Sequence, residues 1–583
     1  MILQTLASYY DRLAQEANTN IAPEGFEKKA IPFLIVLNQQ GGFVGLQDTR
    51  QGEGKKKSGR VFTVPKAVKR SSRIAANLLW DTPAYVLGRP KPDKRKVYEK
   101  LVERAKEQHS AFLIRIHETF PTVVDEGIRA VLRFLERGDF TPIFSHPLWP
   151  EIEESGANLT FQLEGDRELI CQRPTVMSVL TMPNAAGKGD LRICLVTGGL
   201  DEPVRLHTAI KGVWGARSSG ANIVSFNLDA FNSYGKTQGY NAPVGKKAEF
   251  AYTTALNTLL AKGSRQRIQV GDASTVFWSA RANPMEDLFA GFFGEPAKGE
   301  SSQDNESIRA LYGAPQTGAP PLEEDLTPFY VLGLAPNASR NASRISVRFW
   351  YARTVGEVAK YIRQHFDDTA IVHGPNQLAH LPLFRLLVST AIQGRSDNIQ
   401  PNLAGEVMKA VLTGMPYSKT LLASAIRRVR AEHEITYPRA ALIKAVLVRD
   451  ARFYRKQDKE VDVSLDISNA NPGYLLGRLF AVLERAQEAA NPNINATIRD
   501  RFYGAASSTP VAVFPHLLKL KNYHIAKLEN RGLAVNLEKQ IGEIMGGFDD
   551  FPTHLSLADQ GRFAIGYYHQ RQAFFTKKEG KDI

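Results

Sequence analysis

AIPFLIVLNQQGGFVGLQD, residues 30 to 48, is the stretch whose reading decides the fold. A run of aliphatic and aromatic residues, a turn cluster ending in two glycines and a second short apolar run predict two strands joined by a turn. RVFTVP, residues 60 to 65, follows as a third predicted strand. Lys55, Lys56 and Lys57 lie between the second and third, so the loop that holds them is expected to be carried on a sheet. That loop opens the most basic part of the chain. Residues 50 to 100 hold fifteen Lys or Arg against four acids, a net charge of +11, where all 583 residues carry +14. From Gly54 to Trp80 no acid occurs at all, and charge this concentrated implies a polyanionic partner. In RVFTVPKAVKRSSRIAANLLW the cations are interleaved with apolar residues and with Ser71, Ser72 and Asn77, which suits an ordered surface that grips phosphates and presents polar groups to base edges.

Composition excludes several classes. With 43% hydrophobic residues the chain is no disordered basic tail, and its length allows two to four domains. The longest strongly apolar run, Ile31 to Leu37, is far short of the ~20 residues of a membrane span. MILQTLASYYDRLAQEA at the start predicts an amphipathic helix with acids in it and lacks the order of a secretory signal, so a cytoplasmic protein without membrane partners is expected. Cys171 and Cys194 are the two cysteines; without CxxC or a histidine cluster they support neither a disulfide framework nor a zinc site.

Hydrophobic periodicity divides the chain. Helices are predicted over 93–119 and 123–137. NLTFQLEG, RICLVTG, NIVSFN and RIQVGDASTVFW then alternate as strands around a helix at 246–262. This is a mixed α/β region, 1–294, with a basic loop on a sheet. Residues 295–326 are polar and rich in Pro, Gly and Ser, as in an exposed linker. TPFYVLGLAP and RISVRFWYAR predict a strand pair that, with a helix at 354–366, completes the amino-terminal region over 327–375; the tandem NASR at 337–344 lengthens the turn between them. From 376 to 583 the pattern is helical throughout: 376–393, 403–413, 418–433, 438–456, 473–489, 510–529, 533–545 and 556–574. The class is therefore α+β, a mixed amino-terminal region followed by an all-α bundle.

No catalytic constellation emerges. Gly235, Lys236 and Thr237 invite a phosphate-loop reading, but the motif needs a glycine where Ala230 stands. Gly546, Gly547, Phe548, Asp549 and Asp550 resemble a metal-binding GGDD turn with an intervening Phe that turns the carboxylates to the wrong face of a hairpin; a helix stop followed by helix-entry acids explains the segment better. His365, Asp367 and Asp368 lack a second His/Asp pair at matching spacing. A binding protein without cofactor or metal is expected, and no enzyme. A second basic feature spans 427–456, where nine Lys or Arg meet three acids. Arg449, Arg452 and Lys456 fall at i, i+3, i+7 on one helical face, which next to Phe453 and Tyr454 suits tracking of a single strand; a solvated bundle surface is the alternative.

Six segments taken together resemble the Csd-type large subunit of the type I-C CRISPR Cascade, an RNA-guided DNA surveillance complex. They are RVFTVPKAVKRSSRIAANLLWD (60–81), SSGANIVSFNLDAFNSYGKTQGYNAPV (218–244), FYVLGLAPNAS with ISVRFW (329–350), NPGYLLGRLFAVLERAQ (471–487), RFYGAASSTPVAVFPHLLKL (501–520) and IGYYHQRQAFF (565–575). The chain departs from that pattern in its doubled NAS turn and in Trp214 and Arg217, where glutamines are expected. The resemblance implies a non-enzymatic subunit in antiviral defence that recognises the protospacer-adjacent motif in double-stranded DNA, aids duplex opening, holds the displaced single strand in the R-loop and docks a helicase-nuclease. It also implies partners: guide RNA with the backbone and RNA-processing subunits, and a small subunit that matches this chain from about residue 461 and is made by internal initiation. No Met lies there, Met408 and Met415 being the nearest upstream, so a start at Val461 or Val463 would be needed. On this reading Lys55, Lys56, Lys57, Arg60, Lys66, Lys69, Arg70, Ser71, Ser72, Arg73 and Asn77 are expected at the DNA. Asn232, Tyr234, Lys236, Gln238 and Asn241 form a second loop that wedges or reads, or alternatively a packed structural turn. The competing classes are a nucleic-acid hydrolase or nucleotide-dependent enzyme with an unseen site, and a general RNA-binding scaffold.

Overall fold

The structure is a computed structural model that describes residues 1–16, 21–52, 57–68, 70, 74–93, 97–122, 125–181, 190–293, 311–312, 322–337, 341–455 and 460–575. Most of the predicted linker 295–326 lies outside these residues. The chain forms two compact units, one of residues 3–208 with 226–255, the other of 209–225 with 256–583.

In the first unit β1 (Phe26–Ala30) pairs antiparallel with β4 (Val61–Pro65). A four-stranded sheet has the order β3-β2-β6-β5, with β2 (Phe33–Leu37), β3 (Phe43–Asp48), β5 (Trp80–Asp81) and β6 (Leu159–Leu163). β2 and β3 are the expected hairpin. Its turn is closed by Asn38, whose Oδ1 accepts from the Gly42 N–H at 2.7 Å. Gly41 sits at φ +76°, and a Cβ there would lie 2.7 Å from the Ala130 carbonyl, so both conformation and space demand glycine. β2 and β6 run parallel in the centre, and their near-continuous apolar sequences, FLIVL and LTFQL, follow from burial on both faces. The helices Tyr98–Thr119 and Glu126–Arg137 cover one core, in which Phe112, Phe134 and Phe161 meet. The second of these begins at Asp125, whose Oδ1 accepts from the N–H of Gly127 at 2.8 Å, and ends at Gly138 in the left-handed region. β7 (Arg192–Ile193) and β8 (Leu200–Asp201) form a small antiparallel pair.

The second unit contains an antiparallel meander, β9 (Arg267–Val270), β10 (Ala273–Ser279), β11 (Pro328–Pro336) and β12 (Ile345–Thr354). It shares a single hydrophobic core with the helices that follow, from Val270 and Phe277 through Phe366 and Val446 to Phe563. The strand pair expected to complete the amino-terminal region thus packs with the helical segment, because Phe329, Val331 and Phe349 need the apolar side chains that its helices supply. Beyond residue 375 the described chain is helical. The helices Pro472–Ala490 and Leu557–Ala573 approach closely at Gly477 and Gly566. A Cβ on Gly477 would lie 2.0 Å from the Phe563 carbonyl, and one on Gly566 would lie 2.1 Å from that of Tyr474. Small residues let the backbones touch, and any side chain there forces them apart.

Several local expectations are corrected. NIVSFN forms no strand, only a bridge from Asn222 to Arg344, and RICLVTG pairs over Arg192–Ile193 alone. The helix predicted at 376–393 is Leu383–Val388, starting after Pro382. A helix at Ile498–Ala506 was not anticipated; Thr497 and Asp500 cap it reciprocally. Asp549 and Asp550 enter no helix, since the next one begins at Leu557 behind its cap Ser556.

Candidate nucleic-acid interface

β4 delivers the chain into the basic segment, and β1 beside it adds two lysines that charge counting beyond residue 50 passed over. Lys28 donates to Thr63 Oγ1 at 2.7 Å across the ribbon, and Lys29 lies over the Trp80 ring at 5.1 Å. The signal was present as EKKA in a strand-length run. Arg60, exposed at the start of β4, stacks on Phe62 at 5.3 Å. Among the described residues neither Lys57 nor Arg60 has a carboxylate in ion-pair contact, although Lys57 adds a weaker pull on Asp48 and Glu151, which Arg50 already holds.

The remainder of the segment is organised from beneath by Asp81, which is 1% exposed. Its carboxylate pairs with Arg70 and accepts from the backbone N–H of Asn77 at 2.8 Å and of Thr82 at 2.8 Å. Arg70 also donates to the Ala75 carbonyl at 2.6 Å and covers the Tyr85 ring at 4.0 Å. Trp80 Nε1 donates to the Pro65 carbonyl at 2.7 Å, closing the loop onto β4. Asn77 is buried, and its Oδ1 accepts from the Val68 N–H at 3.0 Å. Two expectations change as a result. Asn77 is buried and spent on folding the loop, and Arg70 is a positioning residue whose charge is answered by Asp81. Lys55, Lys56, Lys69, Ser71, Ser72 and Arg73 lie outside the described residues.

Lys66 links this segment to the second candidate loop. Its ammonium lies 3.4 Å from Glu249 and 5.2 Å from the Phe250 ring, both on the helix Lys246–Leu259 that follows that loop. Burial pushes the Glu249 carboxyl up, but Lys66 and hydrogen bonds from Thr208 outweigh it and hold the group below the usual range. The loop is pinned where Gly239 donates to the Arg205 carbonyl at 3.1 Å; a Cβ at Gly239 would lie 2.1 Å from the Val204 carbonyl. Asn241 ties it further, accepting from the Ser233 N–H at 3.0 Å and donating to the Gln238 carbonyl at 2.9 Å. Asn232 reaches Asp229 at 3.4 Å. Gln238 is half-buried at φ +49°, so Asn241 and Gln238 shape the loop. At its tip Tyr234 and Gly235 take φ +51° and +68°, the turn that Lys236 N–H closes on the Ser233 carbonyl at 3.0 Å. Tyr234 there is 95% exposed, with Lys236 also in solvent. The broken phosphate-loop triplet is therefore a tight turn presenting an aromatic ring and a cation.

The helical basic feature contradicts its expected role. Arg449 is 1% exposed, with Nε 2.8 Å from Asp368 Oδ2, while Arg452 reaches Asp368 Oδ1 at 2.7 Å. Arg449 also donates to the Ala410 carbonyl at 2.7 Å and lies over the Tyr417 ring at 4.3 Å. The spacing does put both arginines on one face, but that face turns inward to a carboxylate that burial leaves dependent on them. Lys456 lies outside the described residues. Arg439 and Lys444 are buried too, on Glu432 and on the Asp368 carbonyl respectively. His365, once a metal candidate, shares a 2.6 Å hydrogen bond with Tyr417, and burial, assisted by Arg449, pushes its pKa down to about 3. Among the described residues no group of three His, Cys, Asp or Glu is arranged to hold a metal ion, and no helix is long and apolar enough to cross a membrane.

A family model described as "CRISPR-associated protein (Cas_Csd1)" matches residues 6–575. The chain belongs to that family. It is a CRISPR-associated large subunit of the type I-C kind, a component of a Cascade-type complex. No curated protein matches it. Membership in the Cas_Csd1 family places guide RNA and other Cas proteins around this subunit.

Proposed function

We propose that this Cas_Csd1 chain is the non-catalytic subunit through which its Cascade engages double-stranded DNA. In this reading it recognises the protospacer-adjacent motif, helps to open the duplex, holds the displaced strand in the R-loop and receives the helicase-nuclease, in the cytoplasm. The observation that carries it is the occurrence, within one unit, of Lys57 and Arg60, which have no carboxylate in ion-pair contact among the described residues, and of a tight turn that holds Tyr234 in solvent. Cations supply sequence-independent grip on phosphates, and an aromatic ring on a fixed turn can stack on an unpaired base as the duplex parts. Asn232 and Lys236 are the loop's remaining polar contacts for DNA. We further propose that the segment from about residue 461 is also made separately as the small subunit; ribosome profiling without an initiation peak between codons 400 and 475 would refute this.

The test is binding of the assembled complex, with guide RNA, to duplex targets carrying a randomised flank across a salt series. Lys57→Ala with Arg60→Ala is expected to lower the salt slope by about two while weakening all sequences alike. Tyr234→Ala is expected to leave initial binding and slow duplex opening, read by 2-aminopurine fluorescence beside the flank. Unchanged slope and unchanged opening in these variants would defeat the proposal.

A further inference from the structure

In the second unit a cavity of about 230 Å³ opens between β12 and the helix Pro401–Thr413. One wall is aromatic. Phe349 and Tyr351 project from the same face of β12 and stack, their ring centroids 5.5 Å apart and their planes 17° from parallel. Gly333 on β11 makes room for the first ring, since a Cβ there would lie 2.5 Å from Phe349 Cε1. At the rim stands Arg348, the extra residue where the β11–β12 register shifts. A bulge of this kind re-aims its side chain, and Asp272 fixes the guanidinium at 3.0 Å.

The helix supplies the opposite wall. Gly405 lies in its interior, where glycine is less favourable than alanine. A Cβ there would meet Phe349 Cδ1 at 3.7 Å, an ordinary contact, so packing does not demand glycine. Its effect is to keep the cavity open. Glu406 and Lys409 line the cavity at i and i+3 on one helix face, and among the described residues neither is in an ion pair.

We infer that this cavity receives a guanine base, from a free guanine nucleotide or from an unpaired guanine of a strand. Its volume falls below the ~300–1,000 Å³ of pockets for drug-sized ligands, so a single ring system enters while sugar and phosphate stay outside. A planar base extends the stack of Phe349 and Tyr351. Its Watson–Crick edge meets the helix: the Glu406 carboxylate accepts from N1–H and the N2 amino group, and the Lys409 ammonium donates to O6. Adenine sets an amino group against the ammonium and a lone pair against the carboxylate, so both contacts turn repulsive. Arg348 at the rim is left to face the phosphate.

Calorimetric titration of the full chain with GMP and with AMP, beside fluorescence titration with an oligothymidylate carrying one central dG or dA, tests the inference. Guanine is expected to bind at least about tenfold more tightly than adenine. A preference seen with the mononucleotides assigns the site to a free nucleotide, and one seen only in the oligonucleotide assigns it to a strand. Gly405→Ala, which fills the cavity, and Glu406→Ala, on an exposed side chain, are each expected to remove the preference at the parental melting temperature. Equal affinity for the two bases in both forms, absence of binding, or a preference that survives in either folded variant would overturn the inference. Should Gly405→Ala fail to fold, Glu406→Ala decides. No duplex or flank is present, so failure here is separate from failure of the DNA reading.

Discussion

Arg60 lies over an aromatic ring at an exposed strand end with no carboxylate in contact among the described residues, whereas Arg449 is sealed in a core and bonded to Asp368. Both stand in stretches whose composition is strongly basic, and both were read from sequence as contacts for nucleic acid. The difference lies in which of the cations are answered by acids. In the helical segment Asp368, well back along the chain, holds Arg449 and Arg452, while the nearby Glu432 and Glu460 hold Arg439 and Arg455. In the amino-terminal segment Arg70 and Lys66 are matched by Asp81 and Glu249, while among the described residues Lys57 and Arg60 have no carboxylate in ion-pair contact. Net charge of a window thus measures potential for binding only after the folded acids have been subtracted.

The contrast can be broken most forcefully at Asp368. Asp368→Ala strands Arg449 in the core and is expected to destabilise the protein by about 3–5 kcal/mol, measured by denaturant unfolding. If the loss is under 1 kcal/mol, the helical arginines are not structural. The next largest effect is acid sensitivity from His365. Its folded pKa of about 3 lies below the ordinary histidine value near 6.5, so the unfolded chain takes the proton first. Its stabilising contribution is whole above that ordinary value, declines as pH falls below it and stops declining near the folded value. His365→Gln is expected to flatten unfolding free energy against pH over this window, and an unchanged slope counts against it. Arg70→Ala, which leaves the Asp81 carboxylate short of its cation, is expected to cost about 1–3 kcal/mol. Its effect on DNA binding should track loss of the folded loop, seen as a lowered melting temperature. Smallest in stability is Lys57→Ala with Arg60→Ala, expected within about 0.5 kcal/mol of the parent while the salt dependence of DNA binding drops. A large stability loss there would erase the distinction between the two regions.

Much of the architecture was legible because its signals are local. The β2–β3 hairpin announced itself through its apolar runs and the Asn38 to Gly42 turn, and nearly every carboxy-terminal helix through apolar spacing. What stayed hidden depends on which partners the fold brings to each side chain. Asn77 looks like a groove reader in sequence, and only the fold shows Val68 and Asp81 consuming its hydrogen bonds. The spacing of Arg449 and Arg452 gave their shared face but not its direction, because periodicity is blind to which side meets the core. The strand predicted at NIVSFN failed for the same reason: its alternation is real, but among the described residues its backbone finds only a single bridge. The site was partly visible, in that the loop at 232 to 241 was singled out; the isolated exposure of Tyr234 rests on positive φ at two successive residues, which the dipeptide Tyr-Gly signals weakly.

The glycine contact between Pro472–Ala490 and Leu557–Ala573 has a consequence for how the protein is made. The earlier helix leaves the ribosome with its contact face bare, and the residues that cover it, Phe563 and Tyr567 among them, are translated much later. The core of the second unit therefore cannot close during most of synthesis, whereas the β2–β3–β6 sheet has all its strands by Leu163. Nascent chains should consequently expose the apolar surface of Tyr474 and Phe480 to chaperones until Ala573 emerges, making the last helix the step that ends this subunit's exposure to aggregation.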